Sequence, residues 1–186
     1  MKYASIDIET TGLNDKYCQV IEFGAVLDDL NDLRPLDLLP RFHAYVLHNI
    51  YVGEPYALAM HAEIFRRIAK LEPPFKYVHE TALGEEFAKW LVCQGHDPDA
   101  KLNVAGNNFG GFDNKFLAKL PSFYSRVKLH HRFIDPAILF LDPSKDKAMP
   151  GLEECLKRAN KDSEVTHTAV EDALQVIKLV RTTVVN

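Results

Sequence analysis

No stretch of this chain is apolar for long enough to cross a bilayer as a helix, so a helical membrane span is not expected. Cysteine is scarce: Cys18, Cys93 and Cys155 are far apart, odd in number and without Cys-x-x-Cys spacing. That pattern argues against a disulfide scaffold or a cysteine zinc site and fits a reducing, cytoplasmic setting. An excess of positive charge is also missing. Lys and Arg number 22 against 26 Asp and Glu, a formal net charge of −4, which is unlike a protein that coats nucleic acid indiscriminately. Contact with nucleic acid would have to be local or mediated by cations. No internal repeat, low-complexity tract or secretory apolar region interrupts residues 1–186, which read as one domain without membrane partners. What is present, 47% hydrophobic and 26% charged residues, is ordinary for a globular core with a charged surface.

The chain opens on a strand pattern at residues 3–8 (YASIDI), followed by the turn signal Thr11-Gly12. Side chains alternate along a strand, so Ala4, Ile6 and Ile8 face one way and Ser5, Asp7 and Glu9 the other. Two acids side by side at the end of an apolar strand repel each other, and burial worsens the cost unless a cation offsets it. Strands are expected next at 19–29 and 42–47, with short connections that imply an antiparallel meander. Helical periodicity follows at 56–70 and 80–93, then a strand at 101–106, a helix at 112–120 and a strand at 132–136. Helices at 151–160 and 167–183 complete the pattern. The order predicts an α/β fold with a mixed five-stranded sheet covered by helices.

Two further acids occupy costly positions. Asp113 shares a helical face with Phe116, Leu117 and Leu120, and Asp172 sits beside the apolar arc of Ala169, Val176, Leu179 and Val180. Taken singly, Asp113 fits a helix N-terminus and Asp172 a solvated helix edge. Four such acids on three core elements fit a divalent-cation site, because hard cations take oxygen ligands and neutralise the repulsion. His167, five residues before Asp172, has a side chain suited to accept a proton near neutral pH.

"DIET" with Asp7 and Glu9, "FDNKFL" with Asp113, and "HTAVED" with His167 and Asp172 resemble the three motifs of the DEDDh, or DnaQ-like, 3′-to-5′ exonucleases. The match runs in order over nearly the whole chain, and the His-x4-Asp spacing is that of the histidine branch; position 168 is Thr where the tyrosine branch would need Tyr. "NNFGGFD" mixes this pattern with an oligoribonuclease-like one. The resemblance implies a ribonuclease H-like fold and hydrolysis assisted by two divalent ions, Mg²⁺ or Mn²⁺. Asp7, Glu9, Asp113 and Asp172 would be the ligands and His167 the general base that deprotonates the attacking water. It further implies that Thr10, Thr11, Gly12 and Leu13 meet the terminal nucleotide, that Met60 and His61 flank its base or sugar, and that Asn108 and Phe112 lie nearby. His61 has a competing reading as a core contact, since one helix over 56–70 would align it with Ile64, Phe65 and Ile68. Phe109 and Phe112 could stack on bases or pack in the core.

Basic residues cluster at Arg66, Arg67 and Lys70, at Lys115 and Lys119, and in "RVKLHHR". None makes a long stripe, so single-stranded or short RNA or DNA held at its 3′ end is the expected substrate. The alternative is a catalytically silent nucleic-acid-binding or interaction module on the same fold, which would have no use for four costly acids.

Overall fold

The computed structural model describes residues 1–161 and 168–184. Its centre is a six-stranded sheet in the order β4-β3-β2-β1-β5-β6. Strands β1 (Lys2–Thr10), β2 (Val20–Asp29) and β3 (Arg41–Leu47) form the antiparallel meander that the short connections predict. β5 (Leu102–Ala105) runs parallel to β1, and β6 (Leu129–Ile134) parallel to β5.

The sixth strand corrects the expected five. β4 (Tyr77–His79) is a three-residue edge strand parallel to β3, too short to display the alternation by which strands are read from sequence. β6 also begins three residues before the expected "RFIDP". Its leading Leu129-His130-His131-Arg132 is polar because this edge of the sheet is largely exposed.

The alternation in β1 gives the sheet two different faces. Ala4, Ile6 and Ile8 join Phe23, Phe42 and Val104 against helices α3 (Leu83–Cys93), α4 (Asp113–Leu117) and α5 (Phe123–Arg126). Phe23 and Phe87 meet edge-on at 4.9 Å in this layer, and each fully buried ring contributes roughly 1.5–3 kcal/mol from burial. The opposite face carries Tyr3, Ser5, Asp7 and Glu9 and is covered by α7 (Ala169–Arg181), whose Ala173, Val176, Ile177 and Val180 pack on Tyr3 and Val26.

Two contacts fix α7 on that face. At its start, Gly24 of β2 lies beneath the helix, where a Cβ would fall 2.3 Å from the Ala169 backbone carbon. At its end, Arg181 makes a two-pronged ion pair with buried Asp28 of β2, at 2.6 and 3.0 Å, and Tyr3 of β1 donates to the same carboxylate at 2.9 Å.

The helix expected over 56–70 is two helices, α1 (Pro55–Met60) and α2 (Ala62–Lys70), broken at His61 (φ −95°, ψ 22°). The break turns the His61 imidazole to the sheet. α6 (Leu152–Arg158) packs behind α7, and no helix of the described residues is long and apolar enough to cross a membrane.

Candidate metal centre

Asp7 and Glu9 leave β1 on the α7 face, one pleat apart. The cross-strand partner of Asp7 is Gly24, so no side chain stands between it and α7. The first turn of α7 therefore approaches closely enough to place Asp172 over the strand. Carboxylate oxygens of Asp7, Glu9 and Asp172 lie within 4.8 Å of one another. Asp172 is only 6% exposed, which overturns its reading as a solvated helix edge.

Asp113, the first residue of α4, is 3% exposed and is the charged neighbour that most raises Asp7, although it is not in the 4.8 Å group. Burial raises its pKa to about 7, held back by backbone hydrogen bonds at its own amide and at Ile8. Its reading as a helix N-terminal acid is thus compatible with its place beside the cluster.

Burial and mutual repulsion dominate the electrostatics of Asp7 and Glu9. Burial, and then Asp113, Glu9, Asp172 and Glu22, push the Asp7 carboxyl well above its usual range. Burial, and then Glu22, Asp172 and Asp113, raise Glu9 to about 8. The charges that raise these two groups are those of neighbouring acids. A cation bound among them would draw both carboxyls back toward their usual range. Oxygen-only donors, several carboxylates and a partly buried cleft suit a hard divalent ion such as Mg²⁺ or Mn²⁺. The donor set fits the cofactor that the sequence implies.

His61, buried at the α1–α2 break, brings Nε2 to 3.4 Å from Glu9 Oε2. Its ring thus faces the acids, where an unbroken helix would have aligned it with Ile64. Met60, one residue earlier, is 45% exposed. Leu13 is 78% exposed at the tip of the turn after β1, so both offer exposed apolar surface.

That turn is tightly clamped. Thr11 Oγ1 donates to the Val52 carbonyl at 2.6 Å and accepts from the Gln19 amide at 2.8 Å, and the residue is fully buried. Its hydroxyl is thereby tied into the turn that carries Leu13. Thr10 donates to the Gly12 carbonyl at 2.8 Å. Gly12 has φ +154°, and a Cβ there would lie 2.7 Å from Cys18 and Glu54 side-chain atoms. Glu54 Oε2 accepts from the Leu13 amide at 3.2 Å, fixing the direction in which Leu13 protrudes.

Asn108 occupies a left-handed turn (φ +55°) and its amide donates to Asp135 at 3.1 Å. Its side chain abuts Gly111, where a Cβ would meet Asn108 Oδ1 at 2.2 Å. Phe112 is half-buried with its ring 4.9 Å from Phe116, while Phe109 is 1% exposed against Phe133 and belongs to the core. Arg66 and Arg67 are engaged by Glu63, Glu72 and Tyr45, and Lys119 by Asp15, in keeping with solvated faces. His167 lies outside the described residues.

Sequence reasoning did not single out Glu22, Gly24, His43 or Glu54. Glu22 and Gly24 stand in the apolar run "VIEFGAV", where one acid and one glycine are visible anomalies. Their meaning depends on the β1–β2 register, which pairs Glu9 with Glu22 and Asp7 with Gly24.

A mixed six-stranded sheet in this order with helices on both faces is a ribonuclease H-like fold. No family model and no curated protein matches the chain. Solved structures do. It is similar to the nuclease domain of 3′hExo, described as a DEDDh family member bound to rAMP, at 15% identity and TM-score 0.71, over 98% of this chain and 90% of that one. It is similar to cell-death related nuclease 4 (CRN-4) at 17% identity and TM-score 0.69, over 98% of this chain and 63% of that one. Escherichia coli Exonuclease I in complex with a dT13 oligonucleotide aligns at 16% identity and TM-score 0.62, over 98% of this chain and 40% of that one. The chain thus spans less than two thirds of CRN-4 and of Exonuclease I. At these identities the likeness establishes the fold.

Proposed function

We propose that this chain is a metal-dependent 3′-to-5′ exonuclease that removes nucleoside 5′-monophosphates from single-stranded or short RNA or DNA. One observation carries the reading: three buried or half-buried carboxylates from two elements, Asp7, Glu9 and Asp172, converge within 4.8 Å with a fourth acid, Asp113, acting on Asp7 and Glu9. A binding module gains nothing from that repulsion. The fold shared with nucleases described as bound to rAMP and to a dT13 oligonucleotide supports the substrate class.

Asp7, Glu9, Asp113 and Asp172 hold the divalent ions, Mg²⁺ or Mn²⁺, which when bound supply an activated water and offset charge at the scissile phosphate. His61 orients Glu9 through its Nε2. The exposed Leu13, at the tip of the clamped Thr10–Leu13 turn, and the exposed Met60 offer apolar surface to the terminal base, and Asn108 and Phe112 complete the substrate contacts. His167 takes the proton of the attacking water. Net charge −4 and the pairing of Arg66, Arg67 and Lys119 with acids leave few cations to follow a long backbone, which favours recognition of the 3′ end.

The test is a time course on matched 5′-labelled RNA and DNA ladders with Mn²⁺, Mg²⁺ or chelator. Stepwise shortening and 5′-monophosphate release that chelator stops, and that Asp7→Ala and His167→Ala each abolish, are expected. Mn²⁺ binding without nucleotide release from any ladder would instead assign the silent module. Release that survives Asp7→Ala would remove the cradle from the chemistry.

A further inference from the structure

Glu22 lies outside the set of acids that the sequence motifs assign, yet it stands directly across from Glu9 in the β1–β2 pairing and on the same face. It is 2% exposed. Its Oε1 takes a hydrogen bond from His43 Nε2 of β3 at 2.6 Å. Its Oε2, equally buried, has no hydrogen-bond partner among the described residues. A buried carboxylate oxygen left without a donor is costly, more so when charged, so its retention calls for a donor that arrives with a ligand.

We infer that Glu22, oriented by His43, is a positioning residue of the cation site: its open Oε2 accepts a hydrogen bond from a water held by the ion that Glu9 binds. The inference rests on the metal-centre reading. His43 has the right place for its task. It sits opposite Gly24 on β3, diagonal to Glu22, and packs edge-on against Tyr45 at 4.8 Å and Phe75 at 6.0 Å, so its ring has little freedom. Carboxylates that hydrogen-bond to the groups around a metal characteristically change affinity by 10–100-fold when removed.

The experiment measures Mn²⁺ binding by calorimetry or by the loss of the free-ion electron paramagnetic resonance signal, alongside thermal melts in chelator. Glu22→Gln keeps the shape and the His43 contact but removes a charge. The expected result is a fall in Mn²⁺ affinity of about 10-fold or more, with a melting temperature in chelator equal to or above that of the wild type. Those two signs together distinguish positioning from structural support. His43→Leu should weaken Mn²⁺ in the same direction, and combining it with Glu22→Gln should add little, because both act through one oxygen. Wild-type Mn²⁺ affinity in Glu22→Gln overturns the inference, as does a lowered melting temperature in chelator. Additive losses in the double variant overturn the role given to His43. If the wild type itself binds no Mn²⁺, the metal-centre reading falls and this inference with it.

Discussion

Metal-free protein should lose stability as pH rises from about 4.5 to 8, the opposite of the usual carboxylate behaviour. The Glu9 carboxyl is raised from 4.5 to about 8, chiefly by burial and then by Glu22, Asp172 and Asp113. A carboxyl whose folded pKa exceeds its unfolded pKa is protonated in the folded state while the unfolded chain has released its proton. Its contribution is fully present below pH 4.5 and is lost as pH climbs through 8. At roughly 1.4 kcal/mol per pH unit the interval amounts to about 5 kcal/mol, an upper limit because solvent still reaches Glu9. Against a typical domain stability of roughly 5–15 kcal/mol this is large. Asp113, raised to about 7, acts in the same direction. The assay is urea unfolding followed by circular dichroism between pH 4.5 and 8.5, once in chelator and once with millimolar Mn²⁺. In chelator the stability should decline across the window; Mn²⁺ should flatten or reverse the decline by neutralising the acids. Glu9→Gln should remove much of the slope and raise metal-free stability at pH 8. Metal-free stability that is flat or rising through this window would refute the account of buried acids that repel one another.

Gly24→Ala places a methyl against the Ala169 backbone, where nothing can rotate away; we expect a loss of about 1–3 kcal/mol in chemical unfolding and weaker Mn²⁺ binding, since α7 carries Asp172. Arg181→Met leaves Asp28, which has no exposed side-chain surface, as an unpaired buried charge at the other end of α7, and should cost about 3–5 kcal/mol by the same measurement. Leu13→Ala removes an exposed side chain that supports nothing in the core. It should leave the melting temperature unchanged and raise KM for short oligonucleotides, whereas an unchanged KM would take Leu13 out of the substrate contact.

The parts of this molecule that could be read from sequence are those that depend on local periodicity. The alternation of Ala4, Ile6 and Ile8 with Ser5, Asp7 and Glu9 fixed the two faces of β1, and both faces are as the pleat requires. The short connections predicted the antiparallel meander. The misses have physical reasons. β4 is only three residues long, and its place comes from pairing with β3, which no pattern inside it announces. The helix over 56–70 keeps its apolar spacing through His61, so periodicity could not reveal the break at which the imidazole comes to 3.4 Å from Glu9. That the Thr11 hydroxyl is tied to Val52 and Gln19 is likewise visible only in the fold.

The same distinction explains why the candidate site was half legible. Asp7 and Glu9 are visible as two acids on one strand face, and Asp113 and Asp172 as acids on or beside apolar helix faces. Glu22 and Gly24 acquire meaning only through register: a one-residue slip of β2 would turn both to the opposite face and bring apolar side chains under α7. The sheet therefore does two opposed things at adjacent positions of one strand. Gly24 makes room for α7 to bring Asp172 down onto Asp7, and Glu22 adds charge to an already repulsive cradle. The Asp28–Arg181 pair and the close helix–sheet packing hold the acids together when no cation is bound. A site assembled in that way is rigid before it is loaded. Cation binding should therefore raise the melting temperature strongly while leaving the far-ultraviolet circular dichroism of the protein unchanged; a large gain of helical signal on adding Mn²⁺ would contradict a preformed cradle.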